Sequence, residues 1–226
     1  MTADNPRPRL RLFLFDIAGT TIRDDGWVLR AFLDAAASMG IAPDPEWVRA
    51  RMGWSKRQVF EEMLVNARKD AAAAPVLLDA FSSSILARLD QSPPAPLPGA
   101  EAAIAAFREA GIKVGFTTGF GIVLAREIIS RIGWSPDTLV GSDEVPAGRP
   151  APDMIRLGMS RAGISDPRAV GVIGDTPADI AAGLAAGCGV VLGVAHGSHS
   201  RSELLDPPCD GVLDSLATLP EVLGVR

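Results

Sequence analysis

Two hydrophobic rhythms divide this chain. Residues 9–15 are a nearly continuous apolar run, Leu10, Leu12, Phe13, Leu14 and Phe15, which predicts a strand buried on both faces. From about residue 24 to 96 the rhythm becomes helical: segments 27–39, 45–52, 55–68 and 75–89 carry apolar residues at helical spacing. Pro43, Pro45 and Gly53 punctuate them, and the proline-rich stretch 92–98 is a stiff return. The remainder alternates: helix 99–110, strand 113–117, helix 122–132, strand 138–141, helix 151–162, strand 169–173, helix 177–186, strand 189–194 and a final helix 214–223. Such alternation predicts an α/β fold with a parallel sheet flanked by helices, and a helical insert after the first strand. Right-handed crossovers put the loops after the strands at one sheet edge, where Asp16, Thr118 and Asp175 would meet. No repeats are visible, and the short run 71–74 reads as a helix start or a loop.

Composition narrows the classes. At 226 residues the chain can bury a full core, as one domain or as a core with an insert. The net charge of −5, with scattered basic residues, argues against a nucleic-acid surface. No uninterrupted apolar run approaches the roughly 18 residues of a membrane span. Residues 1–11 are polar, hold two prolines and lack an apolar signal core, so a cytoplasmic location is the expectation. Cys188 and Cys209 lack metal-ligand spacing and do not suggest a disulfide framework; Cys188 reads as a small packed hydrophobe.

The chemistry concentrates at strand ends. Phe13-Leu14-Phe15-Asp16-Ile17-Ala18-Gly19-Thr20-Thr21 ends an apolar strand in a carboxylate, where a nucleophile would sit at the edge of a parallel sheet. By itself Asp16 is equally a turn cap. Gly19 permits the sharp turn that follows. Asp175 follows the apolar Val170–Ile173, with Asp179 one helical turn later: a metal-site pair, or acids answering a helix dipole. Thr118, with Gly119 behind it, offers a hydroxyl donor or bonds its own backbone. Arg149 alone is a surface charge, and Lys56 alone is a solvated one at a helix start.

The order of these segments changes that reading. Asp16–Thr20, Val114–Gly119, Gly148–Pro152 and Val172–Asp179 resemble the four motifs of the haloacid dehalogenase (HAD) superfamily. Asp16-Ile17-Ala18-Gly19-Thr20, with arginine in the third motif, is similar to its phosphonatase branch, a likeness covering about residues 9–200. The resemblance implies a HAD-like Rossmannoid core from residues 1–23 and 97–226, with a helical cap from 24–96. Asp16 would form an aspartyl phosphate, and Arg149 would balance the charge. Asp16, the Ala18 carbonyl and Asp175 would hold Mg²⁺, with Asp179 ordering a metal water or a nearby amide. Ala18, Gly19, Gly53, Thr118 and Gly119 would contact substrate. Met52-Gly53-Trp54-Ser55-Lys56 resembles the cap segment carrying the Schiff-base lysine of phosphonatases, so Lys56 takes that role. Burial near Trp54 and cationic surroundings would lower its pKa.

Ala18 makes chemical sense in that frame. A phosphatase of this pattern has a second aspartate there, to protonate a leaving alkoxide. Cleaving a carbon–phosphorus bond expels no oxygen; it needs an electron sink, which an iminium on Lys56 supplies. Phosphonatases carry a histidine shortly after the lysine, where this chain has Val59, and commonly a tyrosine where it has Phe120. These departures admit a substituted substrate such as a hydroxylated phosphonoacetaldehyde. His196 and His199 read as loop residues. The competing expectations are a Mg²⁺-dependent small-molecule phosphatase, a dehalogenase, and a degenerate HAD domain serving as a binding module. The partner expected is a small phosphonate or phosphate, with no nucleic acid and no membrane. A homodimer through the cap is also expected, with Trp27, Trp47 and Trp54 in that region.

Overall fold

A computed structural model describes residues 9–206 and 208–225. Residues 1–8 of the polar leading stretch lie outside the described residues. Six strands, β1 (Leu12–Phe15), β2 (Lys113–Thr118), β3 (Thr138–Gly141), β4 (Val170–Gly174), β5 (Val190–Val194) and β6 (Gly211–Leu213), form one sheet in the order β3-β2-β1-β4-β5-β6. Every neighbouring pair is parallel, with Leu12 opposite both Lys113 and Val170. This is the α/β architecture that the alternation predicts.

Among the described residues ten α-helices accompany the sheet: α1 (Trp27–Ser38), α2 (Pro45–Arg49), α3 (Lys56–Asn66), α4 (Ala74–Gln91), α5 (Ala100–Glu109), α6 (Ile122–Ile132), α7 (Asp153–Ala162), α8 (Pro177–Ala186), α9 (Arg201–Leu204) and α10 (Leu219–Val222). All four residues of β1 are buried, as a central strand covered on both faces requires. On one face Phe107 of α5 stacks on Phe13 with ring centroids 4.5 Å apart and meets the Phe15 ring edge-on. On the other, Leu12 and Leu14 join Ile155, Met159 and Ile180 of α7 and α8.

The helices between β1 and the rest of the sheet pack into the same apolar cluster as Phe13, Phe15 and Phe107. α1 buries Trp27, Val28, Ala31, Phe32, Ala35 and Ala36, one stripe of a 3.6-residue period. Phe32, Phe60 and Phe81 of α1, α3 and α4 pack ring against ring at 4.9–6.0 Å. The stretch Ala71–Gln91 is long and apolar enough, by length and composition, to cross a membrane, although no uninterrupted run reaches that length. Its buried row Leu77, Phe81, Ile85 and Leu89 is spent on the other helices of this chain.

Several boundaries differ from the sequence expectation. Segment 45–52 is helical only to Arg49, because the chain turns toward Gly53, whose φ of 83° is left-handed. Helix 214–223 is instead a 3-10 turn, Leu216–Thr218, followed by the single turn α10 that Pro220 opens. The short strand β6 and the single turn α9 were not expected. α9 starts at a reciprocal cap between Ser200 and Glu203, a Ser-x-x-Glu signal present in the sequence.

Trp27 lies inside the chain, stacked near Phe120 at 6.1 Å. Trp47 and Trp54 lie under the Arg51 guanidinium, at 4.0 and 5.7 Å. All three tryptophans therefore have contacts within the chain, and none by itself marks a dimer surface.

The aromatic layer between α5 and β1 sets a stability expectation. Phe107 is fully buried, so Phe107→Ala should cost about 3–5 kcal/mol. Urea unfolding should show a lower midpoint with an unchanged slope.

Candidate active site

β1 lies between β2 and β4, so the chain runs outward in opposite directions from this point and leaves a crevice at the strands' carboxyl ends. Asp16 follows β1, Thr118 closes β2, and Asp175 follows β4. All three line one cavity with Ala18, Gly53, Lys56 and Gly119. The sheet thus brings the core residues together, and the helical segment supplies Gly53 and Lys56 from above.

Arg149 binds the crevice together. Its guanidinium is 2% exposed, and one nitrogen, Nη1, lies 2.7 Å from Asp16 Oδ1 and 2.7 Å from Asp179 Oδ1. Nη2 donates to the carbonyl and the hydroxyl of Thr117. The Arg149–Pro150 peptide is cis. Asp179 also caps α8: its Oδ2 accepts from the Thr176 amide, and the Asp179 amide donates to Thr176 Oγ1. Asp179 therefore serves the guanidinium and a backbone amide in this structure.

Asp175 is held from two sides. Thr20 Oγ1 donates to its Oδ1 at 3.0 Å, while the Ser198 amide and hydroxyl both donate to Oδ2 at 2.7 Å. Ser198 belongs to the loop after β5, which the sequence reading left without a role. In that loop Ser198 Oγ pairs with His199 Nδ1 at 3.0 Å, and His196 Nε2 pairs with the Thr20 carbonyl at 3.0 Å. Two glycines make the close fit to Asp175 possible. A Cβ on Gly19, whose φ is 86°, would lie 2.5 Å from Asp175 Oδ2, and one on Gly197 would collide with the same side chain.

Burial pushes the Asp175 carboxyl up to about 6, the Asp16 charge adding to it against the Thr20 and Ser198 hydrogen bonds. Burial also raises Asp16, to about 6, with Arg149 opposing and Asp179 contributing. Two buried carboxylates that line one cavity, the charge of Asp16 raising Asp175, fit a hard divalent cation such as Mg²⁺. Among the described residues no three His, Cys, Asp or Glu side chains gather as a metal cluster. The remaining ligands would be the Ala18 carbonyl and water, which suits Mg²⁺.

Lys56 begins α3, and its amide donates to the Gly119 carbonyl at 3.3 Å. Its ammonium donates to the Trp54 carbonyl at 3.4 Å and faces the rings of Phe32 and Phe120 at 5.3 and 5.4 Å. Burial lowers its pKa from 10.5 to about 8; Asp16 opposes the shift and Arg149 adds to it. The depression expected from the sequence is present, with Phe32 and Phe120 as its aromatic walls. Gly53 and Gly119 permit the close approach: a Cβ on Gly53 would strike Thr176, and one on Gly119 would strike the Trp54 carbonyl. Thr118 Oγ1 accepts from the Phe120 amide at 3.3 Å, which leaves its own proton for the cavity.

The cavity is about 30 Å³, room for about two waters. Ligand pockets run to about 300 Å³ or more.

A family model described as haloacid dehalogenase-like hydrolase matches residues 10–187. The phosphonoacetaldehyde hydrolase of Bacteroides fragilis is 30% identical over 205 residues, 82% of this chain and 77% of that protein. A phosphonoacetaldehyde hydrolase-like protein from Oleispira antarctica superposes with a TM-score of 0.84 at 23% identity, covering 96% of this chain and 92% of that one. CbbY of Rhodobacter sphaeroides, solved with phosphate, superposes at 0.79 with 23% identity, covering 93% and 96%. These two likenesses establish the fold alone.

The buried lysine has a measurable cost. Its pKa is 10.5 when exposed and about 8 in the fold, so the unfolded chain binds more protons across that window and stability rises with pH through it. Below pH 8 the full penalty applies, about 3 kcal/mol. Lys56→Met should be more stable than wild type by up to that amount at pH 7. The gain should fade toward pH 10.5 in denaturant titrations at each pH.

Proposed function

Because the chain belongs to the haloacid dehalogenase-like hydrolases, in their phosphonatase-like branch, we propose that it cleaves the carbon–phosphorus bond of phosphonoacetaldehyde or a close 2-oxoethylphosphonate. Asp16 is the nucleophile and Lys56 forms the Schiff base. One observation carries the reading: a buried amine with a pKa of about 8 shares a small cavity with the Asp16 carboxylate, where residue 18 offers no acid.

Residues 24–96 act as a cap that opens to admit substrate and closes over it. The Lys56 amine condenses with the aldehyde, releasing water and leaving an iminium β to phosphorus. An Asp16 oxygen then bonds to phosphorus as the C–P bond breaks, and the C–P electron pair moves into the iminium to give an enamine. Protonation at carbon and hydrolysis return Lys56 and release acetaldehyde. Water then cleaves the aspartyl phosphate and frees Asp16. Arg149 holds Asp16 Oδ1 in place and offsets the charge arriving with the phosphoryl group. The Thr118 hydroxyl donates to a phosphoryl oxygen. Mg²⁺, held by Asp16, the Ala18 carbonyl and Asp175, would neutralise the phosphoryl oxygens when bound. Desolvation inside the closed cap strengthens each of these contacts.

The decisive experiment measures phosphate and acetaldehyde released from phosphonoacetaldehyde with Mg²⁺, beside Lys56→Ala. Equimolar release by wild type, reduced at least about 10³-fold in the variant, is the expected outcome. Phosphate release that survives in the variant would sink the Schiff-base reading and favour a phosphatase.

A further inference from the structure

We propose that Asp24 is the base that takes the proton of the Lys56 ammonium and returns it to the departing water as the imine forms. This inference rests on the Schiff-base reading above. A primary ammonium cannot attack a carbonyl, and a carbinolamine loses hydroxide only with a proton supplied. A group beside Lys56 therefore has to accept one proton and give it back.

Asp16, Arg149, Asp24 and Asp179 are the charges acting most strongly on Lys56, and Asp175 lines the same cavity. Arg149 cannot accept a proton. Asp16 and Asp179 each lie 2.7 Å from the Arg149 guanidinium, and Asp16 must stay ionised to attack phosphorus. Asp24 remains. It lies in the link between β1 and α1 and lines the same cavity as Lys56, Asp16 and Ala18. Its Oδ1 accepts from the Val28 amide at 3.2 Å, and the amides of Trp27 and Gly26 also face it. Lys56 is a cation acting on Asp24. Burial raises the Asp24 carboxyl and lowers the Lys56 ammonium, which draws the two proton affinities together.

The proton balance closes. Asp24 takes one proton from the ammonium, and the free amine bonds to the carbonyl carbon while the π pair moves to oxygen. A proton passes from that nitrogen to the oxygen, giving the neutral carbinolamine. Asp24 then protonates the hydroxyl, the C–O bond breaks, and the nitrogen lone pair forms the C=N bond. The iminium and one water result, with Asp24 ionised again.

A cap for α1 is the competing role, and the test separates them. Asp24→Asn keeps an oxygen for the Val28 amide but no base. Full-length wild type, Asp24→Asn, Asp24→Glu and, as a control, the exposed neighbour Asp25→Asn are mixed with acetaldehyde and borohydride. The rate of reduced adduct at Lys56 is followed by peptide mass spectrometry at pH 7. Asp24→Asn should slow labelling by about 10²-fold. Asp24→Glu should recover a measurable part, Asp25→Asn should match wild type, and raising the pH past that of Lys56 should restore Asp24→Asn. A residue acting only through its charge gives the opposite sign, because its loss would free more amine and speed labelling. Unchanged or faster labelling in Asp24→Asn, or Asp24→Glu no better than Asp24→Asn, overturns the proposal while the Schiff-base reading stands. Wild type left unlabelled at Lys56 overturns both.

Discussion

One buried guanidinium is the constraint on which the carboxyl edge of the sheet depends. Arg149 reaches Asp16 after β1, Asp179 on α8 and Thr117 in β2, so three separately encoded pieces of backbone share a single cation. Three carboxylates, Asp16, Asp175 and Asp179, are buried in that crevice. Without Arg149 their mutual repulsion and lost hydration would cost several kcal/mol. The attraction is strong because water is excluded, and water is excluded because the turn holding Gly53 and the start of α3 at Lys56 lie directly over the edge.

Much of the fold was legible in the sequence. The central strand reads as an unbroken apolar run because it is covered on both faces, by Phe107 on one side and by α7 and α8 on the other. The alternation after residue 99 supports the parallel sheet for the same reason. The C-terminal segment was less legible: β6 is three residues long and held mainly by pairing with β5, which local pattern cannot register. The family, too, could be read from the order of short motifs: Asp16, Thr118 and Asp175 stand at or just past the ends of buried strands, and Arg149 lies in the loop between β3 and α7.

The loop after β5 was not legible. Gly197 and Ser198 fix Asp175 through a missing Cβ and two hydrogen bonds, and a Gly/Ser/His loop carries no periodic signal of such contacts. Asp24 was passed over for a related reason. An acid before a helix ordinarily caps it, and only the cavity wall shared with Lys56 gives it a second meaning. The lysine's environment was foreseen as Trp54 and neighbouring cations; Phe32, from a helix some twenty residues earlier in the chain, shares in it.

The central position of β1 also governs how the molecule comes into being. Leu12 pairs with Lys113 on one side and Val170 on the other, so the first strand synthesised waits for partners made roughly a hundred and a hundred and sixty residues later. Helices α1 to α4, whose contacts are local, can collapse while the strand behind them still has open edges on both sides. Until residues 113–118 and 170–174 have been made, the apolar segment 12–15 has no neighbouring strand on either side. The strand that carries Asp16 to the sheet edge is thus a part of the nascent chain in need of shelter from aggregation.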